Sequence, residues 1–261
     1  MNEWKVFNGR ISLFLTMPPS ASVPSAVDLY RQIWGSEPDL FQKQSNVLAP
    51  MLAQGLRDGL VVDCVTQPAR IDFNIKAASS PETLMTMAVI DHPSAFFNEL
   101  KRIIDIFDKS SPSIDASRVA LNLHFLNLST SHTNANKALA EVIPARYGVT
   151  MTNEEDFIFQ INEPKPSKEI EDIRMNIITK WSVDNIQILS ISLPTGGVAM
   201  GTAGMTSSQA EKTFVAAHVV FDNNNTPSRR LTGKEQTTLL HEAFDTASGM
   251  QRAIGLKIEG F

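Results

Sequence analysis

The stretch 91–107, followed by 117–125, limits the fold more than any other part of the chain. Phe96, Phe97, Leu100, Ile103, Ile104 and Phe107 recur at spacings of three and four. Asn98, Glu99, Lys101, Arg102 and Asp105 fill the positions between them. This is the apolar stripe and wet face of an amphipathic helix. Pro93 suits its first turn, where a missing amide costs nothing, and Ser110-Ser111-Pro112 stops it. Val119, Leu121, Leu123 and Phe125 then fall on alternate positions, as one face of a strand does. A helix that feeds an alternating strand predicts a mixed α and β protein.

The rest of the chain extends that reading. Ile71, Phe73 and Ile75 alternate with Arg70, Asp72, Asn74 and Lys76, the pattern of an antiparallel sheet with one wet side. Further strands are expected at 9–17, 60–65, 83–90, 157–161, 173–183, 186–193 and 214–221. Ser25 is placed to cap a helix through Leu29, Tyr30, Ile33 and Trp34 that ends at Gly35. A short helix is expected through Leu139 and Val142. Thr232-Gly233-Lys234-Glu235 is a capping-box sequence opening a helix through Leu239, Leu240, Ala243, Phe244 and Ala247. Pro164-Lys165-Pro166-Ser167 reads as a turn or short linker, and Asp222-Asn223-Asn224-Asn225-Thr226 as a turn. Each half closes with strands and one good helix. The expectation is an α+β protein of two lobes, 1–148 and 149–261, each of largely antiparallel sheet with a packed amphipathic helix. The seam is expected near 144–155, with one continuous domain as the alternative.

Composition narrows the function classes. A formal charge of −5 gives no basic surplus for phosphate, so neither nucleic acid nor an anionic membrane surface is expected as a partner. The single cysteine, Cys64, excludes an internal disulfide, and its apolar run Leu60-Val61-Val62-Asp63-Cys64-Val65 points to a buried structural thiol. No signal-peptide pattern opens the chain, and no apolar run approaches the ~18 residues of a membrane span. A cytoplasmic protein is expected.

Few residues suggest chemistry. The glycine-rich run 195–208 follows a strand but has Met205 where a phosphate loop needs lysine, so it reads as a hairpin connection. Met200 and Met205 within it are candidates for docking a partner. Arg229 and Arg230 form a small basic cluster that could contact a partner or simply be solvated. His241 and Asp245 lie one helical turn apart, a spacing that can hold a metal, although a zinc-peptidase pattern requires a second histidine at 245. His124 and His218 each lie in an expected strand. Together with Asp222 they could form an acid–base or metal site across the seam. No residue pattern calls for a cofactor.

The order of elements resembles that of a known group. A strand meander leads to a helix with Phe96 and Leu100, then to the strand Arg118-Val119-Ala120-Leu121-Asn122-Leu123. The chain ends with a long strand, a polar turn and a helix carrying Leu239-Leu240-His241-Glu242-Ala243-Phe244. This layout is similar to a family of sporadically distributed bacterial proteins of about this length, of uncharacterised biochemical role. The resemblance covers 83–128 and the C-terminal strand–helix unit. It implies a bacterial accessory protein acting with other proteins and supplies no catalytic residues. The expected function is therefore a non-catalytic interaction subunit, working through a protein partner or as a homodimer. The alternatives are a hydrolase or metal-dependent enzyme built on the strand histidines, and a small-ligand-binding protein.

Overall fold

The computed structural model describes residues 3–16, 24–43, 50–78, 87–107, 109, 114–151, 157–192, 208–227 and 229–258, with the backbone alone for 187–192 and 208–212. Its strands are β1 (Lys5–Leu15), β2 (Leu40–Gln42), β3 (Met51–Arg57), β4 (Leu60–Gln67), β5 (Arg70–Ala77), β6 (Ala116–Ser129), β7 (Ile158–Pro166), β8 (Arg174–Ser192) and β9 (Ser208–Asn225). They form one antiparallel sheet in the order β2-β3-β4-β5-β1-β6-β9-β8-β7. The helices are α1 (Ala26–Trp34), α2 (Pro93–Ile106), α3 (His132–Val142) and α4 (Gly233–Ala253).

Period-2 patterning decides which face of the sheet is covered. Ile71, Phe73 and Ile75 of β5 face the same side as Ile11 and Leu13 of β1 and Leu121, Leu123 and Phe125 of β6. Val219 and Phe221 of β9 and Trp181 of β8 continue this side across the second half. The apolar stripes of all four helices pack there, in one continuous core. Cys64 is buried within it, and burial together with the nearby Asp63 and Asp72 carboxylates pushes its thiol pKa up. Gly9 makes room at the centre. A Cβ there would lie 2.5 Å from Phe96 Cζ, so its absence lets α2 settle onto β1. Trp34 Nε1 donates to the buried Glu99 Oε2 at 2.8 Å, joining α1 to α2.

Local chemistry starts α1 and α4 and stops α1 as expected, while the expected stop of α2 at 110–112 lies outside the described residues. Ser25 Oγ accepts from the Asp28 amide, and Gly35 closes α1 at φ 66°. The Thr232–Glu235 capping box opens α4. α2 has Pro93 in its first turn and no side-chain cap.

The topology contains a repeat. β1, α1, the meander β3-β4-β5 and α2 are matched in order by β6, α3, the meander β7-β8-β9 and α4. The last strand of each meander returns to pair with the first strand of its half. The halves meet where β1 pairs with β6, and the sheet and core run through that junction. Among the described residues they form one nine-stranded sheet carrying four helices, a mostly-sheet α+β arrangement. The expected seam at 144–155 falls between α3 and β7, inside the second repeat; the topological division lies between α2 and β6.

Several local expectations change. Pro164-Lys165-Pro166 ends β7 instead of forming a turn. The Asp222–Asn225 run remains in β9, where Asn223 and Asn225 bind neighbouring backbone and Asn224 bonds to the Asp222 and Asn176 side chains. Asn223 Nδ2 donates to the Ala243 carbonyl of α4, and Asn225 Oδ1 accepts from the Val119 amide of β6. The two strands expected at 173–183 and 186–193 are a single strand, β8. Of the strand expected at 83–90, residues 83–86 lie outside the described residues and only Ile90 makes a bridge, to Val6; residues 193–207, with most of the glycine-rich run read as a hairpin connection, also lie outside them.

Candidate functional site

The face of the sheet away from the helices carries the polar half of each alternation. Reading across β5, β1, β6, β9 and β8, one row is Asn74, Arg10, Asn122, Asp222 and Ile178, and the next is Lys76, Asn8, His124, Val220 and Lys180. Lys76 pairs with Asp63 at 3.8 Å, and Asp72 of β5 pairs with Arg70 at 2.8 Å and accepts from Ser12 Oγ at 2.6 Å.

Three of these side chains form a line. His124 of β6 and His218 of β9 are diagonal neighbours, because His124 faces Val220 and His218 faces Leu126. Their rings meet with His124 Nδ1 2.9 Å from His218 Nε2. Asp184 of β8 completes the line, its Oδ2 2.5 Å from His218 Nδ1. The His218 side chain is 12% exposed and that of Asp184 33%. Burial raises the Asp184 pKa, but hydrogen bonding and charge from His218, with help from Ser182 and Lys180, outweigh it and hold the carboxyl below its ordinary value. Burial pushes the His124 pKa down to about 3, reinforced by His218, Arg10 and Lys180 and opposed by Asp184.

Hydrogen-bond logic then assigns the protons. Ionised Asp184 only accepts, so His218 donates from Nδ1. In a neutral pair His218 Nε2 must accept from His124 Nδ1–H, which leaves His124 Nε2 as a bare acceptor. When the pair takes up one proton, His218 donates from both nitrogens. His124 then accepts at Nδ1 and carries its hydrogen at Nε2. One proton thus reverses the polarity of the free end of the line.

The structure brings together two of the three residues read as an acid–base candidate. His124 and His218 meet, on the adjacent strands β6 and β9 of one continuous sheet. Asp222 sits farther along β9, facing Asn122 and Ile178, and accepts from Asn224 Nδ2 at 3.1 Å. Asp184 takes the acidic place. Its signal was present in sequence as the continued alternation of Ser182, Asp184 and Ile186, which the reading interrupted at 184–185.

The remaining candidates are dispersed. His241 Nε2 lies 2.9 Å from Asp105 Oδ1 of α2, linking the two helices, while Asp245 is exposed. Among the described residues no three His, Cys, Asp or Glu side chains are placed to share a metal ion. Arg229 bridges Glu235 at 2.6 Å and Asp172 at 3.5 Å, and Arg230 pairs with Asp115. Met200 and Met205 lie outside the described residues. A depression of about 400 Å³ lined by Ile33, Asn98, Arg102, Asp105 and Ile106 lies on the helix layer, on the opposite side of the sheet from His124 and His218. None of the described helices is long and apolar enough to cross a membrane.

The second notable feature is a ribbon. β6 stops pairing with β9 at Ser129↔Val215, and β7 stops pairing with β8 at Ile158↔Ser182. β8 and β9 continue together from Ile186↔Phe214 to Ser192↔Ser208. Over that length of about 20 Å, neither strand has another partner among the described strands.

Comparison with known proteins finds no matching family model, no matching curated protein and no matching solved structure.

Proposed function

We propose that this chain is a non-catalytic interaction subunit, a cytoplasmic bacterial accessory protein that acts through a protein partner or a second copy of itself. The observation that carries this reading is the β8–β9 ribbon beyond Ile186↔Phe214. A lone two-stranded ribbon is marginal in water and gains stability when another surface packs on it. A chain that spends so many residues on such an arm has a use for it outside its own core. The repeated order of strand, helix, meander and helix supports reading the molecule as two fused α+β units, with the arm belonging to the second.

The test removes the arm. Replacing 187–212 with a short Gly-Asn turn retains the paired base and deletes the projection. Light scattering after size exclusion is expected to show the full chain as a dimer, or as a complex with a partner identified by co-purification, and the shortened chain as a folded monomer. A full chain that stays monomeric and partnerless, with the same melting temperature as the shortened one, would refute the reading.

The Asp184–His218–His124 line favours a second reading, a hydrolase in which His124 serves as the general base. Loss of a measured hydrolytic activity in His124→Ala and His218→Ala, without loss of folding, would support it.

A further inference from the structure

The histidine line ends beside two cations. Arg10 of β1 faces Asn122 and is therefore the diagonal neighbour of His124 across the β1–β6 pairing. Lys180 of β8 lies in the same row as His124, with Val220 between them. Arg10 Nε is buried and has no hydrogen-bond partner, and the Asn122 side chain beside it is 8% exposed with its Oδ1 unpartnered. His124 Nε2 is the one ring nitrogen of the pair that the line leaves free. Two fixed cations and an imidazole thus border one patch of sheet; of the carboxylates around it, Asp184 is engaged by His218, and Asp222, in the row of Arg10 and diagonal to His124 and Lys180, accepts from Asn224 Nδ2.

We propose that this patch binds an oxyanion, a carboxylate or a tetrahedral anion, between Arg10, His124 Nε2 and Lys180, and that each anion enters together with one proton. Proton uptake supplies the missing donor. In the neutral line His124 Nε2 presents a lone pair, which repels an anion. In the protonated line the same atom presents N–H. His124 changes tautomer in this step without itself becoming an imidazolium, in keeping with its low proton affinity. The other charged groups on this face around the patch are Lys76 of β5, paired with Asp63; Asp72 of β5, diagonal to Arg10 and paired with Arg70; Lys5 of β1, paired with Asp91; and Asp222 of β9. None lies between the members of the line. The proposal is independent of the arm and uses the histidines to bind instead of to catalyse.

Calorimetric titration of the full-length protein with sulfate and, separately, with acetate tests it. Neither anion takes up protons of its own between about pH 6 and pH 8, the range in which an imidazole pair can change charge. Binding of either is expected, with affinity falling up to about tenfold per pH unit toward the upper limit, as one linked proton requires. Preference for sulfate would mark a tetrahedral anion as the ligand class, and preference for acetate a carboxylate. Arg10→Gln and Lys180→Gln are each expected to weaken binding tenfold or more while leaving the melting temperature near that of the parent. Ring-nitrogen NMR of the unmodified protein gives a readout free of variants: His124 Nε2 should change from a bare to a protonated nitrogen when the anion is added. Absence of binding by both anions, binding without proton uptake, or an unchanged His124 Nε2 would each overturn the proposal.

Discussion

His124 lies where an imidazolium is unwelcome, and this has a consequence for stability. Its folded pKa is about 3, against an ordinary value of 6.5. The unfolded chain therefore takes up this proton first as pH falls. Stability is lost progressively below about pH 6.5, at a limiting slope of about 1.4 kcal/mol per pH unit. Asp184 acts in the same direction over a lower window, because its pKa is depressed in the fold. Its contribution is present above the ordinary carboxylate range and disappears as pH falls through the folded value. His124→Gln should thus flatten the decline between about pH 6 and pH 4 by on the order of 1 kcal/mol per unit, and Asp184→Asn should flatten only the part below. Urea midpoints measured across pH would show this, and an unaltered slope in His124→Gln would count against the tautomer line. Sequence placed both histidines in strands. Their meeting depended on a register of β6 against β9 that no local pattern encodes, because those strands are separated by the whole of α3, β7 and β8.

At the scale of elements, the packing of α2 on the sheet depends on one missing side chain. Gly9→Ala would push a methyl group into the Phe96 ring, whose Cζ and Cε2 would lie 2.5 and 2.9 Å from it. Phe96 is fully buried, so its ring can give way only by displacing its neighbours in the core. A loss of ~1–3 kcal/mol is expected, typical of overpacking. Gly9→Ala combined with Phe96→Leu should recover part of that loss in a denaturation series, and additive losses would show that the ring is not the obstacle. α2 itself was legible in its apolar stripe and in Pro93 at its start, but not at Glu99, which was read on the wet face and is buried where it accepts from Trp34 Nε1. β7 was not. Its Pro164 and Pro166 read as a turn, yet they stand two residues apart on an edge strand, where both missing amides point away from β8 and cost no ladder bond. The Asn223–Asn225 run misled in the same way. These amides favour turns when they bond to their own backbone, but here Asn223 is drawn to α4 and Asn225 to β6, while Asn224 bonds to the Asp222 and Asn176 side chains.

Across the whole molecule the question is whether two halves with one topology behave as two bodies. The strand order argues that they do not. β1 and β6 are the first strands of their halves, and each is buried on the helix side by residues of both. Phe96 of the first half lies over Gly9 and Leu123, and Phe97 stacks edge-on against Phe244 of α4 with ring centroids 6.0 Å apart. Either half alone would expose that shared apolar surface along the full length of its inner strand, at about 25 cal/mol for every Å² uncovered. Alternating patterns locate strands but are silent on which strand lies at the junction, and so the sequence read as two lobes. The tryptophans make the difference measurable. Trp34 reports on α1 in the first half, and Trp181 on β8 in the second, both in the core. Variants that retain only one of them, with Trp4 and the other replaced by Phe, should unfold in urea with coincident midpoints once each is compared with its own circular-dichroism transition. A Trp34 signal that moves well before or after the circular-dichroism change, while the Trp181 signal moves with it, would mean that the β1–β6 junction parts before the halves do, and that the continuous sheet is two cooperative units.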